Sequence, residues 1–251
     1  ALDSAAARSA RIANAFLAEV TRRLRTQPVA PHANTLLLRS FGQLKPVPSF
    51  EEIYDLRAAA IATYPAYRGI AQAVGMDVLP LEGEQTIVDE FRTVGRYWDQ
   101  YDFFYVHVKA TDKAGEDGNF LEKVRVLEEI DQAIPILERQ LNLERGDTLV
   151  VTGDHSTPAA ASGHTLHPVP ILVYSNRSFA VPQVGRFTEP LAWKHGYLGE
   201  ILGRDVMPLA MSHAGKLYDF DTELKPEVPR LGDKHSGGRW PGARDGLKLL
   251  V

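Results

Sequence analysis

The chain has 251 residues and a mass of 27.8 kDa, enough for one large domain or two small ones with a sizeable core. Hydrophobic residues make up 44% and charged residues 24%, ordinary globular usage that excludes disordered and fibrous classes. The 28 basic and 32 acidic residues leave a net charge of −4, and there is no cysteine. The charge balance does not point to a nucleic-acid or anionic-membrane surface; the lack of cysteine excludes a disulfide framework, thiol catalysis and a sulfur-ligated metal, and a cytoplasmic location is expected.

From residue 4 to 25, Ile12, Phe16, Val20 and Leu24 recur at helical spacing behind Asp3 or Ser4 as a cap. Residues 33–39 (ANTLLLR) read as a short buried strand. Ser49-Phe50-Glu51-Glu52 reads as a helix start with acidic residues in its first turn. Alternating helix and strand then run to Leu79, and Gly83 closes this first part.

Residues 86–98 form an amphipathic pattern, and 102–108 (DFFYVHV) are aromatic and β-branched, hence a central strand. Phe120, Val124, Leu127, Ile130, Ile134, Leu137 and Leu141 then mark a helix face, with Pro135 predicting a kink or a division into two helices. Two further apolar strands are expected at 147–152 (DTLVVT) and 169–174 (VPILVY). Strands alternating with helices imply a mostly parallel sheet covered on both faces, an α/β fold. The longest apolar runs, such as 168–174, are far too short to span a bilayer. Beyond Phe220 the chain is rich in proline and glycine and reads as an extended tail over 221–251, ordered only where it docks.

Ligands on open α/β sheets collect at the carboxyl ends of the strands. There the strand ending at Val108 runs into 109–118 (KATDKAGEDG), and the strand ending at Thr152 runs into 153–158 (GDHSTP). A loop then passes His164 and His167. Asp112, Glu116, Asp154, His155 and His164 can thus converge on one edge. Carboxylates and imidazoles without thiolate suit Mn²⁺, Zn²⁺ or Mg²⁺. Strand-end aspartates also serve as ordinary helix caps, but Asp154-His155 directly after a buried strand favours a metal. His107, in mid-strand, reads as a hydrogen-bonded core residue, and His167 as a group orienting a ligand from behind. Ser156 lacks a glycine-flanked nucleophile elbow, so a hydrolase triad is not expected.

The strings 104–112 (FYVHVKATD), 114–118 (AGEDG), 152–158 (TGDHSTP) and 164–170 (HTLHPVP) resemble the archaeal-type cofactor-independent phosphoglycerate mutases of the alkaline phosphatase superfamily. Weaker agreement comes from Arg39 with Gly42, 48–50 (PSF), Gly75-Met76 and 203–209 (GRDVMPL), so the likeness covers roughly residues 1–220. It implies an alkaline-phosphatase-like, mostly parallel sheet flanked by helices, with an inserted smaller α/β cap. Residues 1–84 would be the cap with its leading helix, 85–220 the C-terminal part of the metal-binding catalytic domain, and 221–251 the tail.

The resemblance also implies a reaction. It is interconversion of 3-phosphoglycerate and 2-phosphoglycerate through a phosphoserine, with two divalent ions and without 2,3-bisphosphoglycerate. Asp112, Glu116 and His164 would hold one ion. Asp154 and His155 would hold the other, together with an N-terminal aspartate and a nucleophilic serine that the resemblance places before Ala1. Lys109, as a catalytic and substrate-binding residue, and Arg39 would face the substrate's carboxylate or phosphate. Glu116 stands where the family is expected to carry histidine. It favours a harder ion, unless Asp117 or a water takes its place. A metal-dependent phosphohydrolase, another phosphomutase of the superfamily, and a non-catalytic binding protein are the rival functions. The only partner expected is a small phosphorylated acid, with no nucleic acid and no membrane.

Overall fold

A computed structural model gives the fold and describes residues 3–27, 29, 30, 32–38, 42, 46–178, 185–216, 249 and 250. The chain divides into two units, Ala1–Pro46 and Val47–Val251. In the first, Asp3 caps helix α1 (Ser4–Thr26) by accepting a hydrogen bond from the Ala6 amide at 2.7 Å. Glu19 pairs with Arg22 and Arg23 one turn on, but no residue of α1 is buried. The strand expected at 33–39 is absent over 33–38, where Leu37 is 74% exposed. A strand needs a neighbour for its backbone groups, and the described residues of this unit offer none. Arg39 lies outside the described residues.

Among the described residues, the second unit holds six strands in one sheet of order β2-β1-β3-β6-β4-β5. Its strands are β1 (Ala58–Ala62), β2 (Asp77–Val78), β3 (Phe103–His107), β4 (Thr148–Thr152), β5 (Ile171–Tyr174) and β6 (Leu249–Leu250). All neighbours are parallel except β4 and β5, which are antiparallel.

Its helices are α2 (Phe50–Tyr54), α3 (Pro65–Ala73), α4 (Ile87–Arg96), α5 (Ala110–Glu116), α6 (Phe120–Glu138), α7 (Glu189–His195) and α8 (Val206–His213). The predicted start at Ser49 is a full capping box with Glu52, and Thr86 and Asp89 form another at α4. Helix α6 runs unbroken through Pro135, so the expected division into two helices does not occur. None of the described helices is long and apolar enough to cross a membrane.

Alternation along the strands sends neighbouring side chains to opposite faces. Ala59, Ile61, Phe104 and Leu149 join Phe91 and Val94 of α4 and Val126, Ala133 and Leu137 of α6 in one cluster. Ala58, Phe103 and Val150 join Phe50, Ala210 and Met211 in the other. The sheet is therefore covered on both sides, as the continuous apolar strands predicted. At its amino edge, Asp102 is buried and receives both the backbone amide and the guanidinium of Arg57, ahead of β1. This fixes the starts of β1 and β3 side by side.

Strands β1 and β2, before residue 84, pair with each other, and β1 pairs with β3 beyond it. Apolar contact explains it, since Ile61 and Leu79 pack into the same core as Phe104. The tail over 221–251 ends in β6, which pairs in parallel with β3 on one side and β4 on the other. The rest of that tail lies outside the described residues.

Candidate metal centre

The carboxyl ends of β1, β3 and β4 lie on one edge and supply the polar residues. Beyond β3, Asp112 sits in the first turn of α5 and is buried. Gly115 lets that helix come close to the loop after β4, where a Cβ would stand 2.2 Å from the Thr157 carbonyl oxygen. The approach delivers Thr157, whose hydroxyl donates to Asp112 Oδ1 at 2.6 Å. The Lys109 ammonium donates to Asp112 Oδ2, and Lys123 donates to the Thr157 carbonyl at 2.5 Å. Burial works to raise the Asp112 pKa, but Lys109 and Thr157 outweigh it and hold the carboxyl below its usual range. The hydrogen bond to Asp112 likewise raises the Lys109 pKa.

Two imidazoles close over Asp112. The loop carrying His164 is folded back by a bridge between Ser156 and Thr165. His164 Nε2 lies 3.4 Å from Asp112 Oδ1 and 3.4 Å from Glu116 Oε1. His155 Nδ1 lies 3.8 Å from Asp112 Oδ1, and its Nε2 is 3.4 Å from Asp154 Oδ2. The two rings are 4.0 Å apart. Ligand atoms of Asp112, His155 and His164 all lie within 4.8 Å of one another, the only such group of three among the described residues. A buried carboxylate and two imidazoles that converge to this degree fit a divalent ion, with oxygen and nitrogen donors suited to Zn²⁺ or Mn²⁺.

Except for Arg39, which lies outside the described residues, the expected residues can now be placed. Asp112, His155, His164 and Glu116 come together, and Asp154 adjoins them through His155. Asp117 closes α5 as its C-cap. Lys109 holds Asp112 and lies 5.1 Å from the centre of the Tyr64 ring. His167 braces its own hairpin, with Nδ1 2.9 Å from the Thr165 hydroxyl. His107 is no bland core residue. Its Nε2 is 3.9 Å from Asp154, its ring stacks on Tyr67, and burial lowers its pKa. Sequence reasoning assigned no role to Tyr67 or Thr157. Thr157 lay inside a recognised string, whereas Tyr67 reaches the site from α3, 87 residues before Asp154.

Comparison with known proteins bears on this arrangement. Residues 12–213 match the family model described as the metalloenzyme superfamily. The chain belongs to the metalloenzyme superfamily. The probable 2,3-bisphosphoglycerate-independent phosphoglycerate mutase of Thermosipho africanus is 45% identical over 220 residues, 88% of this chain and 52% of that protein. Its counterpart in Thermus thermophilus is 42% identical over 222 residues, again 88% and 52%. This metalloenzyme-superfamily chain thus spans about half the length of the curated relatives it matches.

Among solved structures, the cofactor-independent phosphoglycerate mutase of Thermoplasma acidophilum aligns with a TM-score of 0.55 at 26% identity, over 85% of this chain and 54% of that one. A protein of Pyrococcus horikoshii aligns with a TM-score of 0.73 at 28% identity, over 85% and 59%. The alkaline-phosphatase-like α/β fold expected from sequence is the fold of this neighbourhood.

Proposed function

We propose that the protein interconverts 3-phosphoglycerate and 2-phosphoglycerate by way of a phosphoserine, using divalent ions and no 2,3-bisphosphoglycerate. The observation that carries the reading is the convergence of Asp112, His155 and His164 on the sheet edge, in a chain 45% identical to a probable mutase of that kind. Asp112, Glu116 and His164 would hold one ion. Asp154 and His155 would hold a second, with the aspartate and serine that the resemblance implies. When bound, such ions neutralise phosphoryl charge and activate the attacking oxygen.

The chain's own residues do the rest. Thr157 keeps Asp112 oriented, so the carboxylate presents one oxygen to the imidazoles. Lys109 neutralises Asp112 as the site stands; with that charge met by an ion, its ammonium is free to take an anionic group of the substrate. Arg39 is the second cation assigned to the substrate. The resemblance also implies a cap that excludes water, as transfer to a hydroxyl of a sugar acid requires. The setting is a cytoplasmic step of glycolysis and gluconeogenesis.

The test is a pair of assays with added Mn²⁺, one for phosphoglycerate interconversion without 2,3-bisphosphoglycerate and one for phosphate release from a phosphomonoester. Interconversion without net phosphate release is the expected result. Phosphate release alone would make the protein a phosphohydrolase. Tight ion binding with neither activity would make it a binding protein.

A further inference from the structure

The polar edge contains one strong contact that the metal reading does not use. Tyr67, in the first turn of α3, donates its hydroxyl to Asp154 Oδ2 at 2.5 Å. Its ring lies on the His107 imidazole, with centroids 3.6 Å apart and planes 22° from parallel. His107 belongs to β3, and its Nδ1 is buried without a hydrogen-bond partner among the described residues. The opposite Asp154 oxygen, Oδ1, accepts from the His155 amide at 3.1 Å. The carboxylate is thus held at both ends, by its own loop and by a side chain from a helix beyond β1.

We propose that Tyr67 is a positioning residue for Asp154, fixing that carboxylate so that its remaining lone pairs point towards an ion shared with His155. The inference rests on the reading of Asp154 as a metal ligand. A carboxylate on an exposed loop turns freely about two bonds. The Tyr67 hydroxyl removes that freedom before an ion arrives, and the His107 ring in turn fixes the plane of Tyr67. Each oxygen of a carboxylate has two acceptor sites, so one hydrogen bond per oxygen leaves room for coordination. Partners of this kind behind metal ligands typically change affinity by about 10–100-fold when lost.

The experiment measures Mn²⁺ binding to the whole chain by calorimetry and by electron paramagnetic resonance, with folding followed by circular dichroism. Asp154→Asn is the control: it should abolish a weaker ion while sparing the ion on Asp112, Glu116 and His164. Tyr67→Phe keeps the ring on His107 and loses only the hydroxyl; it should weaken the Asp154-dependent ion by about tenfold and leave the other unchanged. Tyr67→Leu should weaken it at least as much.

If Asp154→Asn changes no ion, the ligand reading itself fails. If Asp154→Asn acts but Tyr67→Phe binds as the parent does, or more tightly, the positioning role is overturned and the ligand reading stands. Loss in Tyr67→Leu alone would assign the effect to ring stacking and likewise overturn the role of the hydroxyl.

Discussion

Asp112 keeps a negative charge at 9% exposure because Lys109 and Thr157 meet its two oxygens from different elements. Removing one partner of a buried charged group costs more than the bond itself contributes. Thr157→Val should therefore weaken the ion at Asp112 by about tenfold with the fold intact, read by calorimetry. Gly115 acts through the same contact. Gly115→Ala sets a Cβ 2.2 Å from the Thr157 carbonyl, which should lower stability by about 1–3 kcal/mol in urea titrations.

Glu90 is a buried carboxyl of another kind, with Oε2 unpartnered among the described residues. Burial pushes its pKa up from 4.5 to about 8. Between those values the folded state holds the proton that the unfolded state has released, so this group makes stability fall as pH rises. The slope is at most about 1.4 kcal/mol per pH unit. Glu90→Gln should remove it, so the stability difference between variant and parent should widen from pH 5 to pH 8 and level off above. An unchanged difference across that range would contradict this.

At the scale of elements, the sequence was most legible where one local pattern sets one outcome. The Ser49 and Thr86 capping boxes, β3 and β4 all follow from a few adjacent residues. Asp112, Asp154 and His155 could be placed on one edge from sequence because each follows a strand end closely. Tyr67 could not, because a tyrosine in a short helix has no spacing that aims it across the sheet.

Helix α6 is instructive. Its largest apolar residues predicted a face through Phe120 and Leu127, yet these are 66% and 50% exposed. The buried residues are Val126, Ala133 and Leu137, since small Ala133 allows close packing against α4 and the sheet. Leu137→Ala should accordingly cost about 2–5 kcal/mol, whereas Leu127→Ala should stay within about 0.5 kcal/mol. Paired denaturant titrations check both.

Across the whole molecule, the functional edge is where three crossovers of one parallel sheet end, and the antiparallel β5 returns the chain past β4. Strand β1 is a run of alanines with one isoleucine, a pattern with little strand signal of its own. Its place beside β3 comes from contacts with Phe104 and Leu79 that are distant in sequence. Strand β6 was equally hidden, two residues behind a proline- and glycine-rich stretch.

The central claim is that Asp112, with His164 and its neighbours, holds a divalent ion. Elemental analysis and Mn²⁺ calorimetry of the dialysed 251-residue chain, beside Asp112→Asn, test it most directly. One three-ligand group closes among the described residues, so we predict one tightly held ion per chain. Asp112→Asn should stay folded and lose that ion. An Asp112→Asn chain that binds Mn²⁺ as tightly as the parent would contradict the account.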